Sequence, residues 1–230
     1  MVAKDFEPTQ TIGVLFSAGL DSAVLLAHAA KSARAQPIYV QAGLAWERQE
    51  RACATRLLDS APFSGRVEPL VTLAVDMRDV YPPQHWAVRG EAPAFDTPDE
   101  DVYLEGRNVV LLAKASVYLA RARIARIMLG PLAGNPFPDA TPEFFAAMGR
   151  ALSLGLAWDL AIEAPFAAMH KADVIARGME LGVPFALTLS CMQPRDGRHC
   201  GQCSKCRERR DGFREAGVVD PTVYAEAPIR

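Results

Sequence analysis

The segment Phe16-Ser17-Ala18-Gly19-Leu20-Asp21-Ser22 places two hydroxyls, a glycine and a carboxylate within seven residues. That mixture suits an anion held against backbone amides. Ser17 and Ser22 can donate to phosphate oxygens. Gly19 lets the backbone approach the anion and take positive φ. Asp21 offers hard oxygen to a magnesium ion. The segment follows the apolar run Thr11 to Phe16, which reads as a buried strand, and precedes a helical pattern carrying Val24, Leu25, Leu26 and His28. A helix start after a strand presents free N–H groups and partial positive charge. A plain turn with an N-cap would use the same residues; the position directly after a buried strand favours phosphate. The segment is neither a Walker A loop nor a dinucleotide fingerprint.

Four of the five cysteines crowd between positions 191 and 206. Cys191, Cys200, Cys203 and Cys206 have gaps of eight, two and two residues. Two-residue gaps let thiolates converge on one tetrahedral ion, and Gly201 eases the turn. Four protein ligands leave no open position, so the expected zinc is structural. A reduced reactive cluster or an iron–sulfur site is the alternative. His199 could substitute as a ligand. Cys53, alone on a helical stretch, reads as a buried apolar residue.

The elements that must position these groups alternate. Strands are expected at Pro37 to Ala42, Arg66 to Leu73, Ile124 to Gly130 and Asp159 to Phe166, besides the first run. Helices are expected at Asp21 to Ala33, Trp46 to Leu58, Arg107 to about Ala122, Pro142 to Leu154 and Lys171 to Leu181. Such alternation predicts an α/β fold with an open, mainly parallel, doubly wound sheet. Ligands of such sheets sit beyond the carboxyl ends of the strands. From Asp76 to Glu105 the periodicity fails and prolines accumulate, which reads as a flap or lid. Residues 1–187 are expected to form the α/β domain and 188–230 a small zinc lobe with a tail.

The 230 residues are 50 % hydrophobic and 23 % charged, with a formal charge of −2. A chain of this size and balance buries a sizeable core, and its charge predicts no non-specific nucleic-acid binding. No apolar run reaches the length of a membrane span. The opening MVAKDFEPTQ is too polar for a secretory signal, so a cytoplasmic location is expected.

The loop Phe16 to Ser22 resembles the Ser-Gly-Gly-x-Asp-Ser loop of the N-type ATP pyrophosphatases, with Ala18 in place of the first glycine; its methyl is expected to narrow or shift the phosphate cradle. Along nearly the whole chain the sequence resembles the 7-cyano-7-deazaguanine synthase family. The resemblance is carried by E-G-R-N (Glu105 to Asn108), H-K-A-D-V-I (His170 to Ile175), L-G-V-P (Leu181 to Pro184), T-L-S-C (Thr188 to Cys191), the stretch Cys200 to Phe213, and D-P-T-V-Y (Asp220 to Tyr224). It implies an adenine nucleotide α-hydrolase (HUP, Rossmann-like) fold, a homodimer, and use of ATP with Mg2+ to adenylate a small carboxylate, 7-carboxy-7-deazaguanine. Ammonia would then give an amide, and a second ATP a nitrile. Phe16 to Ser22 would hold the nucleotide phosphates. Asp21, Arg107 and Lys171 would serve the chemistry, the last two as cationic partners of phosphate or carboxylate, and Asn108 would orient a carbonyl or ribose. The bland readings of these three are an exposed helix-start arginine, a capping asparagine and a solvated lysine.

The sequence departs from the family at Pro136 to Thr141. Phe137 replaces Tyr, and Ala140 and Thr141 replace Cys and Arg. If those residues contact the base, a paralogue is implied that joins the acid to an amine on a protein or nucleic acid and stops at the amide. A nucleic-acid-binding zinc module with a degenerate nucleotide site is a third reading, motivated by Ala18 and the run Arg207 to Arg210. That run also reads as a solvated helix face.

Overall fold

Apolar runs form the central strands. The computed structural model describes residues 11–226; the polar opening segment and the last four residues of the tail lie outside the described residues. In chain order the elements are β1 (Thr11–Leu15), α1 (Leu20–Ala29), β2 (Arg34–Gln41), α2 (Glu47–Leu58), β3 (Val71–Ala74), α3 (Trp86–Arg89), α4 (Arg107–Arg121), β4 (Arg126–Met128), α5 (Pro142–Leu156), β5 (Ala161–Glu163), α6 (Lys171–Glu180) and α7 (Ser204–Glu215). The strands form one sheet in the order β3-β2-β1-β4-β5, and every pairing is parallel.

Both faces of the sheet are covered. On one, Leu112, Ala115 and Leu119 of α4 and Phe145 of α5 pack on Ile38, Val40 and Ile127. On the other, Leu25 of α1, Ile175 of α6 and Phe213 of α7 pack with Ile12 and Val14. Each such aliphatic side chain contributes about 2 kcal/mol by leaving water. A β-carbon at Gly13 would lie 2.7 Å from Leu119 Cδ2; the bare strand lets α4 approach β1. The chain runs outward from β1 to β3 and then returns to place β4 on the other side of β1. That reversal opens a crevice at the carboxyl ends of β1 and β4. Thus the α/β, parallel, doubly wound expectation holds. Among the described residues no helix is long and apolar enough to cross a membrane.

The third strand starts later than predicted. Val67 pairs with Ala35 only as an isolated bridge, and β3 begins at Val71. Pro69 between them has no N–H to give the ladder; its carbonyl instead accepts from Gln36 Nε2 at 2.7 Å.

The Asp76 to Glu105 stretch carries a core of its own. Met77, Tyr81, Val102 and Leu104 gather with Trp46 and Met192, and the Trp46 and Trp86 rings stack at 5.7 Å. The stretch is also fastened to the cysteine lobe, where Ser204 N donates to Pro93 O at 3.2 Å.

The run Arg207 to Arg210 is not a solvated face. Arg209 is 2 % exposed. It donates to Thr222 Oγ1 (2.6 Å), Thr188 Oγ1 (2.8 Å) and Phe185 O (2.8 Å). Arg207 donates to Phe95 O and Thr97 O, and the Arg210 guanidinium lies over the Phe95 ring. Arg207 and Arg209 thus tie α7 to Phe95, Thr97, Phe185 and Thr188, which satisfies donors that burial would otherwise leave unpaired.

Candidate active site

After β1 the chain is still tied to β2, Phe16 N donating to Ile38 O at 2.9 Å. It then turns sharply. Positive φ falls at Ala18 (60°), whereas Gly19 is extended at φ −66° and ψ 160° and is the N-cap of α1. The expected positive φ at Gly19 is therefore displaced by one residue. A left-handed alanine costs roughly 1–2 kcal/mol. Ala18 is fully buried, and its carbonyl accepts from Leu189 N at 2.9 Å. Its methyl packs in the core and does not line the cavity, contrary to the expectation of a narrowed cradle. At Gly19 a β-carbon would come within 3.2 Å of Ser17 Oγ, so glycine keeps the loop surface bare. Ser22 Oγ donates to Gly19 O at 3.1 Å and accepts from Ser17 N at 3.3 Å, which closes the loop on itself.

A cavity of about 300 Å³ opens at the carboxyl ends of β1, β2 and β4, bounded by Phe16, Tyr39, Glu50, Arg107, Asn108 and Phe137. A second, of about 210 Å³, shares Ser17, Gly19, Asp21, Glu50 and Arg107 with it and extends past Leu20 to Lys171. The loop and both cationic candidates thus converge, with Asp21 and Arg107 where the two spaces meet.

α4 positions Arg107 and Asn108 as its first two residues. Gly106 precedes them at φ 72°, a left-handed turn that aims the helix start at the crevice. Asp139 fixes that start: its carboxylate accepts from Asn108 N at 2.9 Å, and Asn108 Nδ2 donates to Asp139 O at 3.0 Å. Arg107 is not an exposed helix-start residue. Its Nε is buried and, among the described residues, lacks an acceptor, so it is a donor open to water or a ligand.

Lys171 is not solvated either. Its Nζ lies 2.5 Å from Asp21 Oδ2 and 2.6 Å from Glu208 Oε1. A β-carbon at Gly212 on α7 would collide with Lys171 Cγ, so that glycine makes room for the lysine stem. Burial alone would lower the Lys171 pKa, but the Asp21 and Glu208 carboxylates outweigh it and raise the pKa. Asp21 Oδ1 is buried and unpartnered among the described residues. An oxygen in that state fits a hard cation such as magnesium.

Two carboxylates in the cavity were not legible as site residues. Glu47 is spent on the backbone, accepting from Ala42 N at 2.6 Å and Gly43 N at 3.1 Å. Glu50 is different. Its Oε2 accepts from the Tyr39 hydroxyl at 2.7 Å, and burial pushes its carboxyl up to about 7 against the opposing pull of Arg107. Both fall in the helix expected at Trp46 to Leu58, whose charges lie on one side. Tyr39, an inward tyrosine on a buried strand, was the one available signal.

The substituted loop divides. Phe137 lines the first cavity and stacks on Tyr103 at 5.1 Å. Ala140 packs with Phe145 in the core, and Thr141 is the N-cap of α5, accepting from Phe144 N at 3.1 Å. Neither Ala140 nor Thr141 lines the cavity.

The four predicted thiols do converge. Their sulfurs lie within 4.8 Å of one another, with separations of 3.9 Å (Cys191–Cys203), 3.8 Å (Cys200–Cys206) and 3.5 Å (Cys203–Cys206). A tetrahedral ion with metal–sulfur bonds of about 2.3 Å has edges of about 3.8 Å. Cys200 N donates to Cys191 Sγ and Gln202 N to Cys200 Sγ, each at 3.3 Å, as thiolates require. The cluster could therefore hold a metal ion. His199 stands outside it, its Nε2 accepting from Ser190 N at 3.0 Å. Cys53 is buried in the core.

Known proteins resemble the chain along nearly its whole length. The family model described as queuosine biosynthesis protein QueC matches residues 11–217. The 7-cyano-7-deazaguanine synthase of Methanoculleus marisnigri is 33 % identical over 228 residues, 91 % of this chain and 96 % of that protein. That of Anaeromyxobacter dehalogenans is 34 % identical over 235 residues, 98 % of this chain and 100 % of that protein. On the extent and level of this match, the chain belongs to the QueC family of queuosine biosynthesis proteins.

Proposed function

We propose that the chain converts 7-carboxy-7-deazaguanine, ATP and ammonia into 7-cyano-7-deazaguanine, the product for which its relatives are named. One observation carries the reading: the Ser17 to Ser22 loop, the guanidinium of Arg107 and the ammonium of Lys171 surround adjoining cavities at the carboxyl ends of parallel strands. A carboxylate oxygen attacks the α-phosphorus of ATP and pyrophosphate leaves. Ammonia attacks the acyl carbon, AMP leaves, and a proton is lost as the amide forms. The amide oxygen then attacks a second ATP, releasing pyrophosphate; loss of AMP and of both nitrogen-bound protons leaves the nitrile.

The protein's task is to position anions and absorb charge. The amides and hydroxyls of Ser17 to Ser22 bind the phosphates, with Phe16 and Leu20 as apolar flanks. Asp21 holds magnesium, which offsets phosphate charge when bound. Arg107, with its free Nε, faces the charge that develops between carboxylate and α-phosphate. Asn108 has committed its amide nitrogen to Asp139, which leaves Oδ1, an acceptor suited to a ribose hydroxyl. Glu50, its carboxyl at about 7, can take a proton from the attacking nitrogen and return it near neutral pH. The four thiolates fit structural zinc and leave no ligand position for catalysis.

A second reading follows from Phe137, which presents a hydrocarbon edge to the cavity: an amide joined to an amine on a protein or nucleic acid. Mass spectrometry of the product from the acid, ATP and ammonia separates the two. The nitrile mass with AMP and pyrophosphate release is expected. An amide alone, or an adduct on a macromolecule, would overturn the nitrile synthase.

A further inference from the structure

Two helices begin with a lysine where helices disfavour cations. Lys171 opens α6, and Lys205 lies in the first turn of α7, which has no acidic residue there. Positive charge opposes the helix dipole at this end, so another partner must hold it. That partner is Glu208. Its Oε1 faces Lys171 Nζ at 2.6 Å and its Oε2 faces Lys205 Nζ at 2.5 Å. One carboxylate thus holds two ammonium groups, one on each oxygen. Both lysines border two cavities, of about 210 and 280 Å³, that also share Asp21. Lys205 stands between Cys203 and Cys206, so its backbone is fixed by the thiol cluster.

We infer that Lys205 binds the terminal phosphates of the nucleotide, and that Glu208 is a positioning residue presenting Lys205 and Lys171 as a pair. The inference rests on the nucleotide reading above. Two separated ammonium groups match a diphosphate, whose charge is distributed over several oxygens. The cysteine lobe would then supply part of the pyrophosphate site rather than only a scaffold.

Isothermal titration of the metal-loaded protein with ATP, AMP and inorganic pyrophosphate, each with magnesium, tests this. Lys205→Ala is expected to weaken ATP and pyrophosphate about tenfold and leave AMP unchanged, as loss of one charge-assisted bond would. Glu208→Gln should weaken the same two ligands, and Lys205→Arg should restore ATP binding to within about threefold of wild type. Wild-type ATP affinity in Lys205→Ala, or an equal loss of AMP, would overturn the inference alone. A wild-type protein that binds neither ATP nor AMP would instead overturn the nucleotide reading on which it rests.

Discussion

Lys171 Nζ lies 2.5 Å from Asp21 Oδ2 although 150 positions separate them in the chain. The first and the sixth main helices meet at this contact, and Glu208 on the seventh completes it. The ammonium is thereby held between two carboxylates, one from the start of α1 and one from α7.

Replacing Lys171 by Met is expected to leave those carboxylates facing each other without a counter-charge. Removing one partner of a buried pair costs about 3–5 kcal/mol, and the partial exposure of this one lowers the figure to about 2–3 kcal/mol. Pyrophosphate release should fall at least about a hundredfold. Urea denaturation and a pyrophosphate-release assay read the two effects separately. A variant of wild-type stability and rate would remove Lys171 from the site.

Glu50 gives a pH signature. Its carboxyl rises from an ordinary 4.5 to about 7 on folding. The folded state therefore holds a proton that the unfolded state has released. Stability from this group is complete below about 4.5 and is lost as pH rises to about 7, by at most about 3 kcal/mol. Glu50→Gln should flatten stability across that window. Its pyrophosphate-release rate should also lose the rise through about 7 expected of the wild type. Denaturation midpoints at several pH values, with parallel rates, check both; identical profiles for the two proteins would dismiss Glu50.

The strands and the cysteine cluster were legible because each depends on local pattern. Five apolar runs gave five strands, and cysteine spacing alone located a cluster whose sulfurs meet. The α7 helix was not laid out in advance, since its cysteines and charges carry no apolar period. Its charges face protein: Arg209 reaches Thr188 and Thr222, and Glu208 reaches Lys171. Glu50 was illegible for the same reason. A charged residue on a helix reads as solvent-facing unless the element covering it is known, and here the covering elements are β2 and the start of α4. Gly19 shows the limit at finer scale. Glycine marks the loop, but the left-handed residue is Ala18, which sequence preference disfavours.

Ala18→Gly sets two small effects against each other. Glycine relieves a left-handed alanine, worth roughly 1–2 kcal/mol. It also removes a fully buried methyl, worth about 0.8 kcal/mol, and adds backbone entropy to the unfolded chain, worth about 0.4–1 kcal/mol. Stability should stay within about 1 kcal/mol of wild type. The methyl lies away from the cavity, so the KM for ATP should not change. A several-fold fall in KM would show that the methyl does obstruct the phosphate cradle.

Restoring the family residues at the substituted loop should have unequal effects. Thr141 caps α5 and stands outside the cavity, so Thr141→Arg should cost about 1 kcal/mol of stability through the lost cap and leave turnover unchanged. Phe137 forms part of the wall. Phe137→Tyr adds a hydroxyl there, and a new hydrogen bond to substrate would lower the barrier by about 0.5–1.5 kcal/mol and so raise kcat/KM roughly twofold to tenfold. Steady-state rates with 7-carboxy-7-deazaguanine, set beside melting curves for both variants, distinguish wall from cap. If Thr141→Arg changes substrate KM while Phe137→Tyr does not, the substrate lies along the start of α5 rather than against Phe137.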